Sequence, residues 1–252
     1  MILSSEEIEK RVADSYELPN EVLKEIPEPM VSIRTSTYNH GPYIKQCIEG
    51  VLMQKTSFPF EYIIGEDFST DETREIVFEY AKKYPQIIRV VTADYNVGSK
   101  ANGQRCIRRS RGKYMAICEG DDYWTDPLKL QKQVDFLEKN PDYAICCGHV
   151  EVVDEYGEFK GQLLPSMKDT YTVNELCKGD FISTPTCMVR NHLIETIPEW
   201  LFEFNGCDWT FDIVNAEHGK IKFMDEILAA YRIHNHGEWN KLTEKEKMLA
   251  GQ

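Results

Sequence analysis

Between Met30 and Leu137 short apolar runs alternate with segments of helical period, and this alternation constrains the fold more than any other feature of the chain. Val31-Ser32-Ile33-Arg34-Thr35 reads as a strand. Behind Pro42, Ile44, Cys47, Ile48, Val51 and Leu52 follow at i, i+3, i+4, i+7 and i+8, one face of a helix. Tyr62-Ile63-Ile64-Gly65 predicts a second strand. Ser69-Thr70-Asp71-Glu72 has the pattern of a capping box, opening a helix with Ile76, Val77, Tyr80, Ala81 and Tyr84 on one face. Ile87 to Val91 predicts a third strand, a helix over about Ala101 to Ser110 stops at Gly112, and Tyr114-Met115-Ala116-Ile117-Cys118 predicts a fourth. Asp126-Pro127 then caps a helix carrying Leu130, Val134 and Leu137. Strands alternating with helices of this length imply an α/β fold whose sheet is parallel and built from βαβ units.

The 252 residues fit one large α/β domain or two small ones. After Pro141 the texture changes. Ala144 to Val153 is a longer strand, Asp154 to Glu158 a turn, and Phe181 to Met188 an irregular stretch around Pro185. Asp208 can cap a helix running to Gly219, and Ile221 to Asp225 and Leu228 to Ile233 are two further strands. The break near 140 reads as two halves of one fold. Residues 1–29 hold eight acidic and three basic side chains and read as a polar, solvated lead-in of one or two short helices, without chemistry of its own.

A net charge of −13 argues against non-specific nucleic-acid binding, which needs a basic face to displace counterions. No apolar run reaches the roughly 18–20 residues that cross a bilayer. Met1-Ile2-Leu3-Ser4-Ser5-Glu6-Glu7 lacks the basic and apolar regions of a signal peptide, and the eight cysteines include no C-x-x-C pair, so a reduced, cytoplasmic setting is expected.

In open α/β sheets ligands bind beyond the carboxyl ends of the strands. Three such ends carry polar clusters here: Thr35-Ser36-Thr37-Tyr38-Asn39-His40-Gly41, Glu66-Asp67-Phe68-Ser69-Thr70-Asp71 and Glu119-Gly120-Asp121-Asp122-Tyr123-Trp124. Asp71 and Asp126 alone would be ordinary helix caps. Three carboxylates among Glu119, Asp121 and Asp122 repel one another unless something positive sits among them. Hard divalent cations take oxygen ligands, commonly one or two carboxylates plus substrate phosphates, so the cluster points to a diphosphate-bearing ligand held through a metal.

Val31 to Asn39, Ile63 to Asp71 and Tyr114 to Trp124 continuing into Asp126-Pro127 resemble the successive motifs of family 2 glycosyltransferases, over roughly residues 30 to 235. That family has the GT-A fold, a Rossmann-like, mainly parallel mixed sheet flanked by helices, and transfers sugars from nucleotide donors with inversion. The resemblance implies a single GT-A domain over 30–252, with residues 30–140 binding the nucleotide sugar and 141–252 binding the acceptor. It places Ser36, Tyr38 and Asn39 along the nucleoside, with the Tyr38 ring beside the base, and has Asp67 hydrogen-bond the base, usually uracil. Asp121 falls near the ribose and donor sugar, Asp122 is a direct ligand of Mn2+ or Mg2+, and Lys100, after Asn96-Val97-Gly98, lies where a cation approaches the donor. Asp208, in Gly206-Cys207-Asp208-Trp209, matches the general base. Tyr231-Arg232-Ile233-His234 matches a late Y-R-x-H segment whose His completes the metal site or touches the diphosphate; His236 beside it has no assigned role. Two departures stand out: Phe68 where a small residue is usual, and Cys207 where an acidic one is common.

The resemblance thus implies single displacement from a UDP-sugar to a hydroxyl of a saccharide or lipid-linked oligosaccharide, in bacterial surface polysaccharide synthesis. The cytoplasmic face of the membrane, with peripheral association, is the expected place. The tail segment Glu244-Lys245-Glu246-Lys247 is mixed in charge and expected to be solvated. The alternatives weighed are a nucleotide-sugar-binding module without catalysis and a sugar-nucleotide pyrophosphorylase. The latter would carry a Gly-rich, Arg/Lys-containing loop after its first strand, and Ser36 to Gly41 is not one.

Overall fold

The computed structural model describes residues 4–22, 28–163, 168–193, 207–235 and 237. Gly206, His236 and the segment 244–247 lie outside these. In chain order the elements are α1 (Ser5–Ala13), β1 (Tyr16–Glu17), β2 (Val31–Thr37), α2 (Gly41–Leu52), β3 (Phe60–Glu66), α3 (Thr73–Lys83), β4 (Ile88–Thr92), α4 (Ser99–Ile107), β5 (Tyr114–Ile117), β6 (Tyr123–Trp124) and α5 (Lys129–Lys139). There follow β7 (Tyr143–Asp154), β8 (Phe159–Leu163), β9 (Thr170–Tyr171), α6 (Val173–Leu176), β10 (Met188–Arg190), α7 (Cys207–Ala216) and β11 (Lys220–Ile233).

The strands form one mixed sheet in the order β1-β4-β3-β2-β5-β10-β7-β11-β6, with β8 added to β7 and β9 to β11. The four strands read from the alternation, β2 to β5, pair in parallel, and the long β7–β11 pair is parallel as well. Between these two blocks sits β10, antiparallel to both β5 and β7. Helices cover both faces. On one side α2, α3 and α5 bring Ile44, Ile48, Val77, Leu130 and Leu137 onto Ile33, Tyr62, Ile64 and Ala116. On the other, α1, α4 and α7 bring Ile8, Val12, Ala101, Trp209 and Val214 onto Met115, Ile117, Ile145 and Phe223. Coverage of both faces is why Tyr62-Ile63-Ile64 of β3 and Tyr114-Met115-Ala116-Ile117 of β5 read as continuous apolar runs, whereas β2 alternates Val31 and Ile33 with Ser32 and Arg34. Each fully buried Ile, Leu or Val contributes about 1.5–3 kcal/mol, so the two cores hold the strand ends in fixed register.

Several elements differ from their sequence reading. Ser69 to Glu72 forms no capping box. The helix begins later, at Thr73, and Asp71 acts as an acceptor for the Thr73 and Gly41 amides at 3.0 and 2.9 Å. The two strands expected at 221–225 and 228–233 are one bulged strand, β11, whose register with β7 shifts between Met224 and Ile227. The irregular stretch around Pro185 is a 3-10 turn at Thr184–Thr186 that delivers β10 into the sheet. The N-terminal segment is solvated on one face only: Ile8 and Val12 of α1 are buried against Ala93, Val97 and Ala101, and β1 pairs with β4, while Glu6, Glu9 and Lys10 are exposed. No helix among the described residues is long and apolar enough to cross a membrane.

Candidate active site

Backbone hydrogen bonds tie the carboxyl ends of β2, β3 and β5 together. Asp67 N–H donates to Thr37 O, Cys118 N–H to Arg34 O and Gly120 N–H to Ser36 O, each at 3.0 Å. A Cβ on Gly120 would lie 2.7 Å from both His40 Nδ1 and Thr37 Oγ1, so only glycine lets the acidic turn approach β2 this closely. Beyond β2, Asn39 adopts φ +53 and its side-chain oxygen accepts the Thr70 amide at 2.9 Å, while its own amide donates to Ser69 Oγ at 3.1 Å. Asn39 therefore clamps the two loops together. Tyr38 beside it projects outward, 43% exposed, with an apolar ring available to a ligand.

Asp67 is 2% exposed. Its two oxygens accept the Val97 and Gly98 amides at 2.7 and 2.9 Å, and Asn96 Nδ2 donates to its carbonyl at 3.1 Å. Arg105, fully buried, stands 3.7 Å from the carboxylate and donates to Glu66 O at 2.9 Å. Burial pushes the Asp67 carboxyl above its ordinary range, outweighing the Val97 amide, Arg105 and the Gly98 amide. The resemblance has this carboxylate contact the base; in the structure it orders the Asn96-Val97-Gly98 loop from which α4 starts. Gly98 turns there at φ +87, a conformation suited to glycine. Lys100, in the first turn of α4, is half-buried at the end of that loop.

The acidic turn splits its two aspartates. Asp122 is 3% exposed and its Oδ1 accepts the Arg232 amide of β11 at 2.8 Å. Burial first, then the charges of Asp121, Cys47 and Glu119, hold its carboxyl well above the ordinary range. Asp121 points the other way: its Oδ2 lies 3.0 Å from His234 Nε2 and 3.9 Å from His40 Nε2. Burial acts to raise the Asp121 carboxyl, but the His234 hydrogen bond and the His40 and His234 charges prevail and keep it below its ordinary value. The resemblance pairs Asp122 with His234 at the metal; in the structure His234 stands against Asp121, and Asp122 Oδ1 is taken by the Arg232 amide. Arg232, which donates its amide to Asp122 and its Nε to the Asp121 carbonyl at 2.9 Å, fixes the turn so that Asp121 faces His234 instead. Among the described residues no group of three or more His, Cys, Asp or Glu is gathered for a metal. One carboxylate oxygen and one imidazole nitrogen do suit a cation such as Mn2+ or Mg2+ that completes its shell with water and diphosphate oxygens.

Asp208 stands in the first turn of α7, its side chain 44% exposed and its Oδ1 3.9 Å from Arg34 Nη2. Arg34 carries no site assignment in the sequence. It projects from the middle of β2, nearly buried, with Nη1 donating to Ser36 Oγ at 2.9 Å and Nη2 3.0 Å from Glu119 Oε1. A charged residue inside a strand that the fold covers on both faces was the available signal. Glu119 also accepts the Ser36 amide at 3.0 Å; burial pushes its carboxyl up to about 7 against the pull of Arg34, with Asp208 and Asp121 adding to the rise. Asp212, one turn along α7, is buried and takes a hydrogen bond from Cys187 Sγ. Desolvation, then the charges of Asp180 and Asp208, hold its carboxyl well above the ordinary range.

The architecture is thus a parallel nucleotide-type half whose strand ends carry a carboxylate–imidazole pair, joined by Arg34 to a carboxylate on the second half. The family model for glycosyl transferase family 2 matches residues 32–197. The chain belongs to that family. Over 220 residues it is 38% identical to the uncharacterized protein Rv1520 of Mycobacterium tuberculosis, covering 86% of this chain and 63% of that protein, so it spans less than two thirds of this relative's length. Among solved structures it is similar to residues 1–349 of S. aureus TarS in complex with UDP, at TM-score 0.64 and 20% identity, over 81% of this chain and 61% of that one. It is also similar to the mannosyltransferase PcManGT of Pyrobaculum calidifontis in complex with GDP-Man and Mn2+, at TM-score 0.60 and 15% identity, over 92% and 64% of the two chains. These likenesses show the GT-A fold.

Proposed function

We propose that this glycosyltransferase moves a sugar from a UDP-sugar to a hydroxyl of a saccharide or lipid-linked acceptor, with inversion, in the synthesis of a bacterial surface polysaccharide. The observation that supports it best is the reach of Arg34, in the middle of β2, both to Glu119 of the acidic turn and to Asp208 of the second half, which brings the two carboxylates around one guanidinium. Asp208 takes the proton from the acceptor hydroxyl as that oxygen attacks the anomeric carbon. The bond to the diphosphate oxygen breaks, the electron pair leaves with the nucleoside diphosphate, and configuration inverts. The leaving group needs no proton, so one base suffices, unlike glycoside hydrolysis with its flanking pair of carboxylates. A divalent cation held by Asp121 and His234, Mn2+ or Mg2+, would supply the positive charge that stabilises the departing diphosphate. Asp122 supports the turn in place of binding the cation.

Tyr38 and Ser36 line the nucleoside in this reading, Asn39 holds the loop on which Tyr38 stands, and Lys100 approaches the donor phosphates. Asp67 shapes the base pocket through the 96–98 loop; each of its oxygens retains an acceptor site for the base. UDP as donor nucleotide follows the family resemblance and the TarS complex, and GDP, carried by PcManGT, is its competitor. We place the reaction on the cytoplasmic face of the membrane, where nucleotide sugars are made. The experiment is Asp208→Asn in a UDP-sugar transfer assay. The rate is expected to fall by about 10²–10⁴-fold with UDP affinity unchanged, and retention of more than about a tenth of the rate would contradict the assignment.

A further inference from the structure

The matched family region begins at residue 32, yet the segment before it is built into the donor side of the molecule. Arg11 of α1 donates from Nη1 to the Val97 carbonyl at 3.1 Å, while the Val97 amide donates to Asp67 at 2.7 Å. Val97 is therefore held from both sides, by the N-terminal helix and by the strand-end carboxylate. The rest of the segment repeats the pattern. Tyr95 Oη donates to Asp14 at 2.7 Å and Tyr16 Oη to Asp94 at 2.9 Å, securing the residues just before Asn96. Ser15 Oγ accepts Arg105 Nη1 at 3.2 Å, the same guanidinium that reaches Glu66 O and stands beside Asp67. Beneath these bonds Ile8 and Val12 pack on Val97 and Ala101.

We propose that residues 5–17 are a positioning element for nucleotide recognition: they hold the 96–98 loop and Asp67 in the arrangement the donor nucleotide meets. Arg11 is the positioning residue whose removal should be felt first, because its guanidinium reaches the Val97 carbonyl directly. This rests on the donor site proposed above. A purely architectural role would lower stability without singling out nucleotide binding. A loop held in place lowers the ordering entropy that the ligand must otherwise overcome, so its loosening appears in affinity.

The test is UDP titration by calorimetry in Mn2+ for the full chain, comparing wild type, Arg11→Ala, Arg11→Lys and a control, Lys220→Ala. Lys220 pairs with Asp142 on the surface away from this loop. Arg11→Ala should weaken UDP about 3- to 10-fold, the range one such hydrogen bond commands, with the melting temperature of the ligand-free protein lowered by at most a few degrees. Arg11→Lys should recover most of the affinity and Lys220→Ala should bind as wild type. Equal UDP affinity in Arg11→Ala and wild type, or an equal loss in Lys220→Ala, would overturn the proposal while leaving the donor site standing. A wild-type protein that binds neither UDP nor GDP would overturn the donor site itself, and this role with it.

Discussion

At the strand ends of β2 and β3 most polar side chains have their hydrogen bonds supplied by backbone. Asp67 accepts two amides, Asp71 two more, and Asn39 and Ser69 bridge neighbouring loops. Around α7 the situation is reversed. Asp208 and Asp212 share their surroundings with Asp180 and Glu119, Arg34 is the cation nearest Asp208 among the described pairs, and desolvation with mutual repulsion raises Asp212. The first arrangement is held by backbone donors, which in the proposed function meet the nucleotide. The second gathers carboxylates around one guanidinium, and burial with their mutual repulsion raises Asp212. Active sites commonly trade stability for such charge tension.

Substitutions on the two sides should differ in kind. Asp67→Ala breaks the backbone-held side most severely. The Val97 and Gly98 amides lose their acceptor, at about 1–3 kcal/mol for each group left buried, and UDP affinity should fall about tenfold or more. Scanning calorimetry should show the melting temperature of the ligand-free protein dropping by at least about 5 °C, given roughly 2–4 °C per kcal/mol in a chain of this size. An unchanged melting temperature would mean the loop does not need Asp67.

On the tense side the sign is opposite and the effect smaller. Because the Asp212 carboxyl is raised in the folded state, the unfolded chain ionises it first as pH climbs above the ordinary carboxylate range. Folding stability carried by this group is present at low pH and lost as pH rises toward the folded value. The groups facing it are Asp180 and Asp208, the Cys187 thiol that donates to it, and Arg34, which opposes the rise. Asp212→Asn keeps an oxygen to accept from Cys187 and removes the charge. It should melt about 2–4 °C above wild type at pH 8, with the gain vanishing near pH 4. A loss of stability at pH 8 would show that the pocket is not under charge tension.

The regular half of the molecule was legible because its signals are local. Apolar runs and helical periods place β2 to β5 and their helices to within a few residues, since each signal spans only a few consecutive residues of the chain. What sequence could not show depends on partners far along the chain. The order of Asp121 and Asp122 is set by Arg232, more than a hundred residues later, which takes Asp122 into the interior and leaves Asp121 to His234. Arg34 reads as an anomaly until Glu119 and Asp208 are brought beside it. In β11 the bulge at Asp225-Glu226 interrupts the apolar pattern, so one strand reads as two. The three-residue β10 is too short to leave a pattern, and α1 reads as solvated because only Ile8 and Val12 carry its buried face.

The most direct test of the donor site is a thermal-shift series with UDP, GDP and CDP, each in Mn2+ and in EDTA. A ligand at about 100 times its dissociation constant adds roughly 2.7 kcal/mol, which is several degrees here. The proposed donor site predicts such a shift with UDP in Mn2+ and its loss in EDTA. A larger shift with GDP or CDP would contradict the choice of UDP, and no shift with any of the three would contradict the nucleotide site itself.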